Sequence, residues 1–328
     1  MYRTRAPQGR GVRACLWSAL LVAPLVAAAA VVTGERAREA FVTNQTGNSV
    51  SVVDVAAMKV VAEIAVGGRP AGIAFSPDDK RAYVTAPESR ELVVIDAQKR
   101  AVEHRIKVGS GPVGVAVNPE TGRIYVADWY EHKVFAVDPI AGRITAEVAV
   151  GLSPSGVAVT PDGNLVLTAD RDSNEVSIID AASNARVATV EVGERPFGIT
   201  IDPDGRRAYT ANVGSDDVSV IDIAARRVIG TVKVGRRPYA VALAGARAFV
   251  TDQYAGTVTV FDVDRLEVAK MMEVGDHPEG IAADQEGRFV YIALWGDDEL
   301  VKIDTARLEV VERVRVGSGP RAFGDFLR

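Results

Sequence analysis

Residues 81–122 read RAYVTAPESRELVVIDAQKRAVEHRIKVGSGPVGVAVNPETG, and units of this kind recur through the chain. A proline that closes a Gly-x-x-Pro turn and an aspartate that ends an apolar run mark each copy. The prolines stand at 70, 112, 154, 196, 238, 278 and 320, and the aspartates at 54, 96, 138, 180, 222, 262 and 304. Both series are spaced by 42 residues, with a single interval of 40. This period, with about four short strands in each copy, is typical of a toroidal propeller rather than a helical array.

Each copy is built from strands and tight turns. Residues 81–85 form an aromatic-rich strand, 91–96 an alternating strand, 102–108 a longer outer strand, and 113–117 a strand of small residues. β-branched residues at period two predict strands, and no stretch of helical period follows residue 32. Turns such as Pro161-Asp162-Gly163 are hairpin turns rather than phosphate loops, because Pro presets φ and Gly accepts the positive φ that follows. The fold class is therefore all-β.

The two chain ends together complete one copy. The repeats begin in mid-copy with residues 40–44, and residues 321–327 match the small-residue strand that should precede them. An open ring would expose two strand edges, and pairing the last strand with the first three removes them. The sequence thus predicts a seven-bladed β-propeller of four-stranded blades over residues 39–328. The C-terminal strand is expected to be the innermost strand of the first blade.

The N-terminal segment has the pattern of an export signal. Arg3, Arg5, Arg10 and Arg13 form a basic region without an acid, residues 14–32 are apolar, and residues 27–30 offer a small-residue cleavage site. We expect residues 1–30 to be the signal, 31–38 a short lead-in, and the protein to be periplasmic or secreted, with no stable membrane insertion after cleavage. The apolar run of 19 residues could also span a membrane, so an N-terminal anchor is the alternative.

Removal of the signal changes the charge and the cysteine count. The chain has 38 basic and 43 acidic residues, and loss of four arginines leaves 34 against 43, a net charge of −9. This balance makes uniform attraction to duplex DNA or an anionic membrane unfavourable, although a local basic patch could still act. The single cysteine, Cys15, lies in the signal. Disulfides, thiolate metal sites and Cys-x-x-Cys-His haem attachment are therefore not expected in the mature chain.

The strand after each hairpin resembles a known repeat. Phe41-Val42-Thr43-Asn44, Tyr83-Val84-Thr85-Ala86 and Phe249-Val250-Thr251-Asp252, with runs such as residues 218–222 after them, resemble the YVTN-family beta-propeller repeat. The resemblance extends from about residue 39 to the C-terminus. It implies a propeller fold in the manner of bacterial periplasmic propellers, some of which bind DNA, and of archaeal surface-layer propellers. It is more distantly similar to the propeller of haem d1 nitrite reductases and to lactonases, so it implies no single reaction.

Candidate ligand-binding residues come from loops that should meet at one mouth of the central channel. Aromatic rings and arginines on a concave face suit a small anionic or aromatic ligand, since rings stack and guanidinium groups bind carboxylate or phosphate. The partner is expected to be such a ligand or another envelope protein, and the protein a monomer. The candidate residues are Arg69, Trp129, Arg195, Phe197, Arg237, Tyr239, His277, Glu279, Trp295 and Arg321.

Catalytic and metal chemistry find less support in the sequence. His277 and His132 have acidic neighbours but no zinc-type spacing, and the seven periodic aspartates are predicted turn caps. No Ser-His-Asp set or close carboxylate pair is evident, so we assign no catalytic residue, metal or cofactor. The favoured function is an exported, non-catalytic binding or interaction module. The alternatives are an enzyme or enzyme subunit, such as a lactone hydrolase or the propeller of a redox complex, and single-stranded nucleic-acid binding through Trp129, Tyr239 and Trp295.

Overall fold

The computed structural model describes residues 1–2 and 39–328, and the chain divides into two units, Met1–Arg36 and Ala37–Arg328. Apart from its first two residues, the predicted export signal lies outside the described residues, as does the lead-in. No helix in the described residues has the length and apolar character that a membrane crossing requires.

The described residues form 28 strands and one short 3₁₀ helix, Arg171–Ser173. The strands of the first three blades are β1 (Glu39–Asn44), β2 (Ser49–Asp54), β3 (Lys59–Ala65), β4 (Gly72–Phe75), β5 (Arg81–Ala86), β6 (Glu91–Asp96), β7 (Ala101–Lys107), β8 (Pro112–Val117), β9 (Ile124–Asp128), β10 (Lys133–Asp138) and β11 (Arg143–Ala149). The next two blades contain β12 (Pro154–Val159), β13 (Leu165–Asp170), β14 (Glu175–Asp180), β15 (Ala185–Glu191), β16 (Pro196–Ile201), β17 (Arg207–Asn212), β18 (Asp217–Asp222) and β19 (Arg227–Lys233). The remaining strands are β20 (Pro238–Ala244), β21 (Arg247–Asp252), β22 (Thr257–Asp262), β23 (Val268–Glu273), β24 (Pro278–Ala283), β25 (Phe289–Leu294), β26 (Glu299–Asp304), β27 (Glu309–Arg315) and β28 (Phe323–Gly324).

These strands build a ring of seven antiparallel blades, as the period of the sequence predicts. The first blade contains β1–β3 and is completed by the C-terminal segment, and each of the other six takes four consecutive strands, from β4–β7 to β24–β27. Within each blade the first strand faces the channel and the fourth lies outside. The third strand ends at the periodic aspartate, and its carboxylate caps the turn as predicted: Asp96 Oδ1, for example, accepts from the backbone N–H groups of Gln98 and Lys99.

Neighbouring blades are joined through the threonine of the repeat motif. Thr85 Oγ1 donates to the carbonyl oxygen of Val113 in the next blade at 2.7 Å, and Thr43 Oγ1 donates to that of Ala71 at 2.8 Å. Apolar side chains fill the space between the blades; Leu92 of one blade and Ile124 of the next belong to a single buried cluster. The inner strands carry small residues because the inner strands of neighbouring blades approach one another closely. A Cβ atom at Gly114 would lie 2.1 Å from the carbonyl oxygen of Ser155.

The C-terminal segment closes the ring against β1, as predicted. The Asn44–Pro320 pair has the register of the Asp170–Pro154 pair in a regular blade. The pairing continues to Ala40–Leu327, beyond which Glu39 and Arg328 exchange two backbone hydrogen bonds. The backbone N–H of Phe41 donates to the carbonyl oxygen of Phe326. The backbone N–H of Arg321 donates to the carbonyl oxygen of Thr43.

This closing strand is less regular than the simple inner strand that the sequence predicts. Residues 320–327 pair with residues 44 to 40 of β1, whereas in a regular blade the six residues Pro154–Val159 of β12 pair with the same length of β13. The two extra residues bulge into the channel, where Phe323 and Gly324 pair in parallel with Gly72 and Ile73 of β4. Glycine is required in this excursion, because Gly324 has φ of +115° and a Cβ there would lie 2.5 Å from the Ile73 carbonyl oxygen.

Candidate functional site

The loops from each outer strand to the next inner strand, and those between second and third strands, lie on one face of the ring. They surround a cavity of about 380 Å³ at the channel mouth, which we call the mouth cavity. Its size falls in the range of about 300–1,000 Å³ that is usual for small-molecule sites. Its polar and aromatic lining consists of Gln45, Trp129, Tyr130, Arg171, Phe197, Arg237 and Arg321.

An aromatic cluster forms the floor of the mouth cavity. The ring centroid of Phe197 lies 4.6 Å from that of Tyr239, 5.1 Å from that of Phe323, and 6.3 Å from that of Trp129. Phe323 also lines a second cavity of about 440 Å³, which the inner strands surround on the other side of the cluster. The cluster therefore lies between the two cavities and gives the mouth cavity an aromatic base.

Arg321 is held in place by groups beneath the mouth cavity. Its Nε donates to Tyr239 Oη at 2.6 Å and lies 3.1 Å from Glu279 Oε2 in an ion pair. Glu279 Oε1 accepts from Gln253 Nε2 at 2.6 Å, and Gln253 Oε1 accepts from Arg237 Nε at 2.6 Å. The two guanidinium groups are thus fixed by one continuous chain of polar contacts, and its central members Gln253 and Glu279 are buried.

Burial shifts the ionisation of this network. It raises the pKa of Glu279, while the charge of Arg321 and the Gln253 amide oppose part of that rise. Burial alone would lower the pKa of Arg321, but Tyr239 and Glu279 act in the opposite direction and the net shift is upward. Burial also raises the pKa of Tyr239, so its hydroxyl stays protonated. Arg321 is accordingly a permanent cation that faces a carboxylate.

The other two arginines enter the cavity from neighbouring loops. Arg171, in the 3₁₀ helix, forms an ion pair of 2.6 Å with Asp172, and its Cζ lies 5.3 Å from the centre of the Trp129 ring. Arg237 precedes the proline of its Gly-x-x-Pro turn and has φ of +54°. Its backbone N–H donates to Asp216 Oδ1 at 2.7 Å, and its Cζ lies 4.6 Å from the centre of the Tyr254 ring.

The predicted site residues fall into three groups. Trp129, Phe197, Arg237 and Arg321 line the mouth cavity, and Tyr239 and Glu279 lie directly below it. His277 and Trp295 form a separate pair with centroids 6.1 Å apart, and His277 Nδ1 lies 2.6 Å from Asp276 Oδ1. Arg69 and Arg195 are exposed in their turns and do not line the cavity.

Sequence reasoning did not select Gln45, Tyr130, Arg171, Gln253 or Phe323. The first four lie in the correct set of loops, but residue type alone does not distinguish them from other loop residues. Phe323 could have been selected from the repeat alignment, because it occupies the position at which the other inner strands carry valine or isoleucine. No group of three or more His, Cys, Asp or Glu side chains in the described part of the chain could hold a metal ion.

The ring of seven blades and the mouth cavity define a propeller with a cavity on its loop face, and the sequence places it in a family. The chain belongs to the YNCE-like beta-propeller family, which matches residues 18–123 and 127–325. This assignment is consistent with the predicted YVTN-type repeat. No curated protein matches the chain.

Two solved structures are similar to the chain. A functionally unknown protein from Desulfotomaculum acetoxidans is 18% identical, with a TM-score of 0.76 over 87% of this chain and 99% of that one. Kuenenia stuttgartiensis hydrazine synthase is 23% identical, with a TM-score of 0.71 over 77% of this chain and 88% of that one. At such identities the likeness concerns the fold alone.

Proposed function

We propose that this protein is an exported, non-catalytic binding module whose small anionic or aromatic ligand occupies the mouth cavity. The observation that carries the proposal is the convergence of three arginines and an aromatic floor in one cavity at the channel mouth. Guanidinium groups recognise planar anions through paired hydrogen bonds, and aromatic rings pack against planar ligands. Function also tends to lie on loops that a rigid scaffold supports.

The arrangement favours binding over catalysis. A general acid or base should exchange its proton near neutral pH and reach the reacting atom. The arginines of the mouth cavity are permanent cations, and Glu279 is buried behind Arg321 and already bonded to Gln253. The enzyme-subunit alternative stays a prediction, because the fold likeness to hydrazine synthase carries no site residue.

A cavity-blocking substitution tests the proposal. Gln45 is half-buried and lines the mouth cavity, so Gln45→Trp should fill it. Gln98→Trp is the matched control, because Gln98 is exposed in the turn after β6 on the opposite face. We expect a thermal-shift screen of small carboxylates, phosphates and neutral aromatic compounds to find compounds that bind wild type and Gln98→Trp. Titration calorimetry should show at least about tenfold weaker binding to Gln45→Trp.

Two results would contradict this proposal. One is that no compound of the screen stabilises the wild-type protein. The other is that Gln45→Trp binds the compounds as tightly as Gln98→Trp does, which would place the site elsewhere. Circular dichroism of both variants confirms that they are folded before binding is compared.

A further inference from the structure

The ion pairs around the mouth cavity decide what charge its ligand should carry. Three arginines line the cavity, but two of them have a carboxylate partner. Asp172 lies 2.6 Å from Arg171, and Glu279 lies 3.1 Å from Arg321. The ion pair of Arg321 is weakly screened by salt, because Glu279 is only 4% exposed.

Arg237 differs from the other two arginines. Its Nε donates to Gln253 Oε1, a neutral acceptor, and within residues 39–328 no carboxylate lies at ion-pair distance from its guanidinium group. The nearby Asp216 carboxylate is occupied by the backbone N–H of Arg237 rather than by its side chain. Tyr254 supports the guanidinium from one side at 4.6 Å. Arg237 is therefore an oriented cation whose charge no carboxylate of the described chain compensates by direct pairing.

We propose that the mouth cavity selects a planar aromatic ligand with a single negative charge, whose ring packs on Trp129 and Phe197 and whose anionic group meets Arg237. This inference rests on the proposed function and specifies its ligand class. The ring is favoured because the floor beneath it is a cluster of aromatic side chains. A second negative charge on the ligand is disfavoured, because its desolvation would cost free energy. The remaining cations, Arg171 and Arg321, already have carboxylate partners.

Three naphthalene probes separate charge from shape. The probes are 2-naphthoate, the neutral 2-naphthamide and naphthalene-2,6-dicarboxylate, each titrated into the full propeller by calorimetry. We expect 2-naphthoate to bind at least about tenfold more tightly than either of the others, since charge-assisted hydrogen bonds are the stronger ones. Arg237→Gln should remove that preference. Arg226→Gln is the matched control, because Arg226 is an exposed arginine with the same φ of +54° on the opposite face.

Removal of a carboxylate partner should change the preferred charge. In Glu279→Gln the amide can still accept from Gln253, but Arg321 becomes an uncompensated second cation. We expect the dicarboxylate to bind this variant at least as tightly as 2-naphthoate. Because loss of one partner of a buried ion pair can destabilise the fold, Asp172→Asn serves as a second variant, which frees Arg171 at a partly exposed position.

The outcomes distinguish this inference from the proposed function. If 2-naphthamide binds wild type as tightly as 2-naphthoate and Gln45→Trp abolishes both, the mouth cavity is a ligand site but the charge assignment is wrong. If the dicarboxylate is preferred by wild type, Arg237 is not the only available cation and the inference fails. If compounds of the screen bind in the cavity but no naphthalene probe does, the aromatic class is wrong. A change in preference in either Glu279→Gln or Asp172→Asn supports the inference.

Discussion

Asp170 should make the stability of the propeller depend on pH in the opposite direction from an ordinary surface carboxylate. It ends β13, immediately before Arg171 of the mouth cavity, and is fully buried. Its Oδ2 accepts from the backbone N–H of Gly151 at 3.0 Å and from Ser177 Oγ at 2.5 Å, but its Oδ1 has no hydrogen-bond partner in the described chain. Burial raises the pKa of Asp170 to about 7, from an ordinary value of 3.8.

The sign and size of the effect follow from that shift. Between about pH 4 and pH 7 the folded protein retains a proton that the unfolded chain has lost, so the free energy of unfolding falls as pH rises. The stabilising contribution is complete below pH 4 and is lost as pH rises through 7. A difference of about three pKa units corresponds to roughly 4 kcal/mol. Burial raises the pKa of Asp252 to about 6, which adds a smaller effect with the same sign.

Asp170→Asn isolates this contribution. Asparagine occupies the equivalent position in two other blades, at Asn44 and Asn212, so the site can accept the amide. We expect the variant to match wild type below about pH 4 and to exceed it by up to about 4 kcal/mol at pH 8.5, measured by urea unfolding across that range. Asp204→Asn, in an exposed hairpin turn, is the control and should leave the pH dependence unchanged. Equal pH slopes for wild type and Asp170→Asn would refute the reasoning.

Two further predictions concern the closure of the ring. Phe326 is fully buried between the first and second blades. Phe326→Ala should therefore lower the free energy of unfolding by about 3–5 kcal/mol and lower Tm by at least about 6 °C. A calorimetric Tm shift below about 2 °C would show that the closing strand contributes little to stability. Ala40 of β1 pairs with Leu327 of the closing strand. We expect the double variant Ala40→Cys and Leu327→Cys, made in a chain without Cys15, to form a disulfide on mild oxidation. The disulfide should raise Tm above that of the reduced form. Failure of the folded protein to oxidise, judged by gel mobility, would contradict the register of the closure.

The sequence was a sufficient guide to the fold because each copy carries its own local signals. The periodic aspartates bond to backbone groups two and three residues ahead, so their role as turn caps could be predicted from residue type and position alone. The threonine of the motif is different. Its strand could be recognised, but its bond from Thr85 to Val113 in the next blade depends on how two copies pack. Blade count and closure were predictable, whereas contacts between blades were not.

The candidate site was predictable only in part for the same reason. The loop face could be inferred from strand order, and the structure places Trp129, Phe197, Arg237 and Arg321 around one cavity on that face. The sequence could not reveal which arginines have a carboxylate partner. Arg321 bonds to Tyr239 across 82 positions of the chain, and this contact exists only because the C-terminal segment returns to the channel. A pairing of that kind depends on ring closure, strand register and rotamer together.

Closure and the mouth cavity share the same short segment of chain, and this links the stability of the fold to the proposed binding. Pro320 pairs with Asn44 to close the ring, the next residue is Arg321 of the mouth cavity, and Phe323 forms part of its floor. Gln45, immediately after β1, contributes to the lining from the N-terminal side of the same seam. A ligand of the proposed kind would therefore contact groups that are correctly placed only when the ring is closed. Such a ligand stabilises the closed ring by mass action, by about 2.7 kcal/mol at a concentration of 100 times Kd.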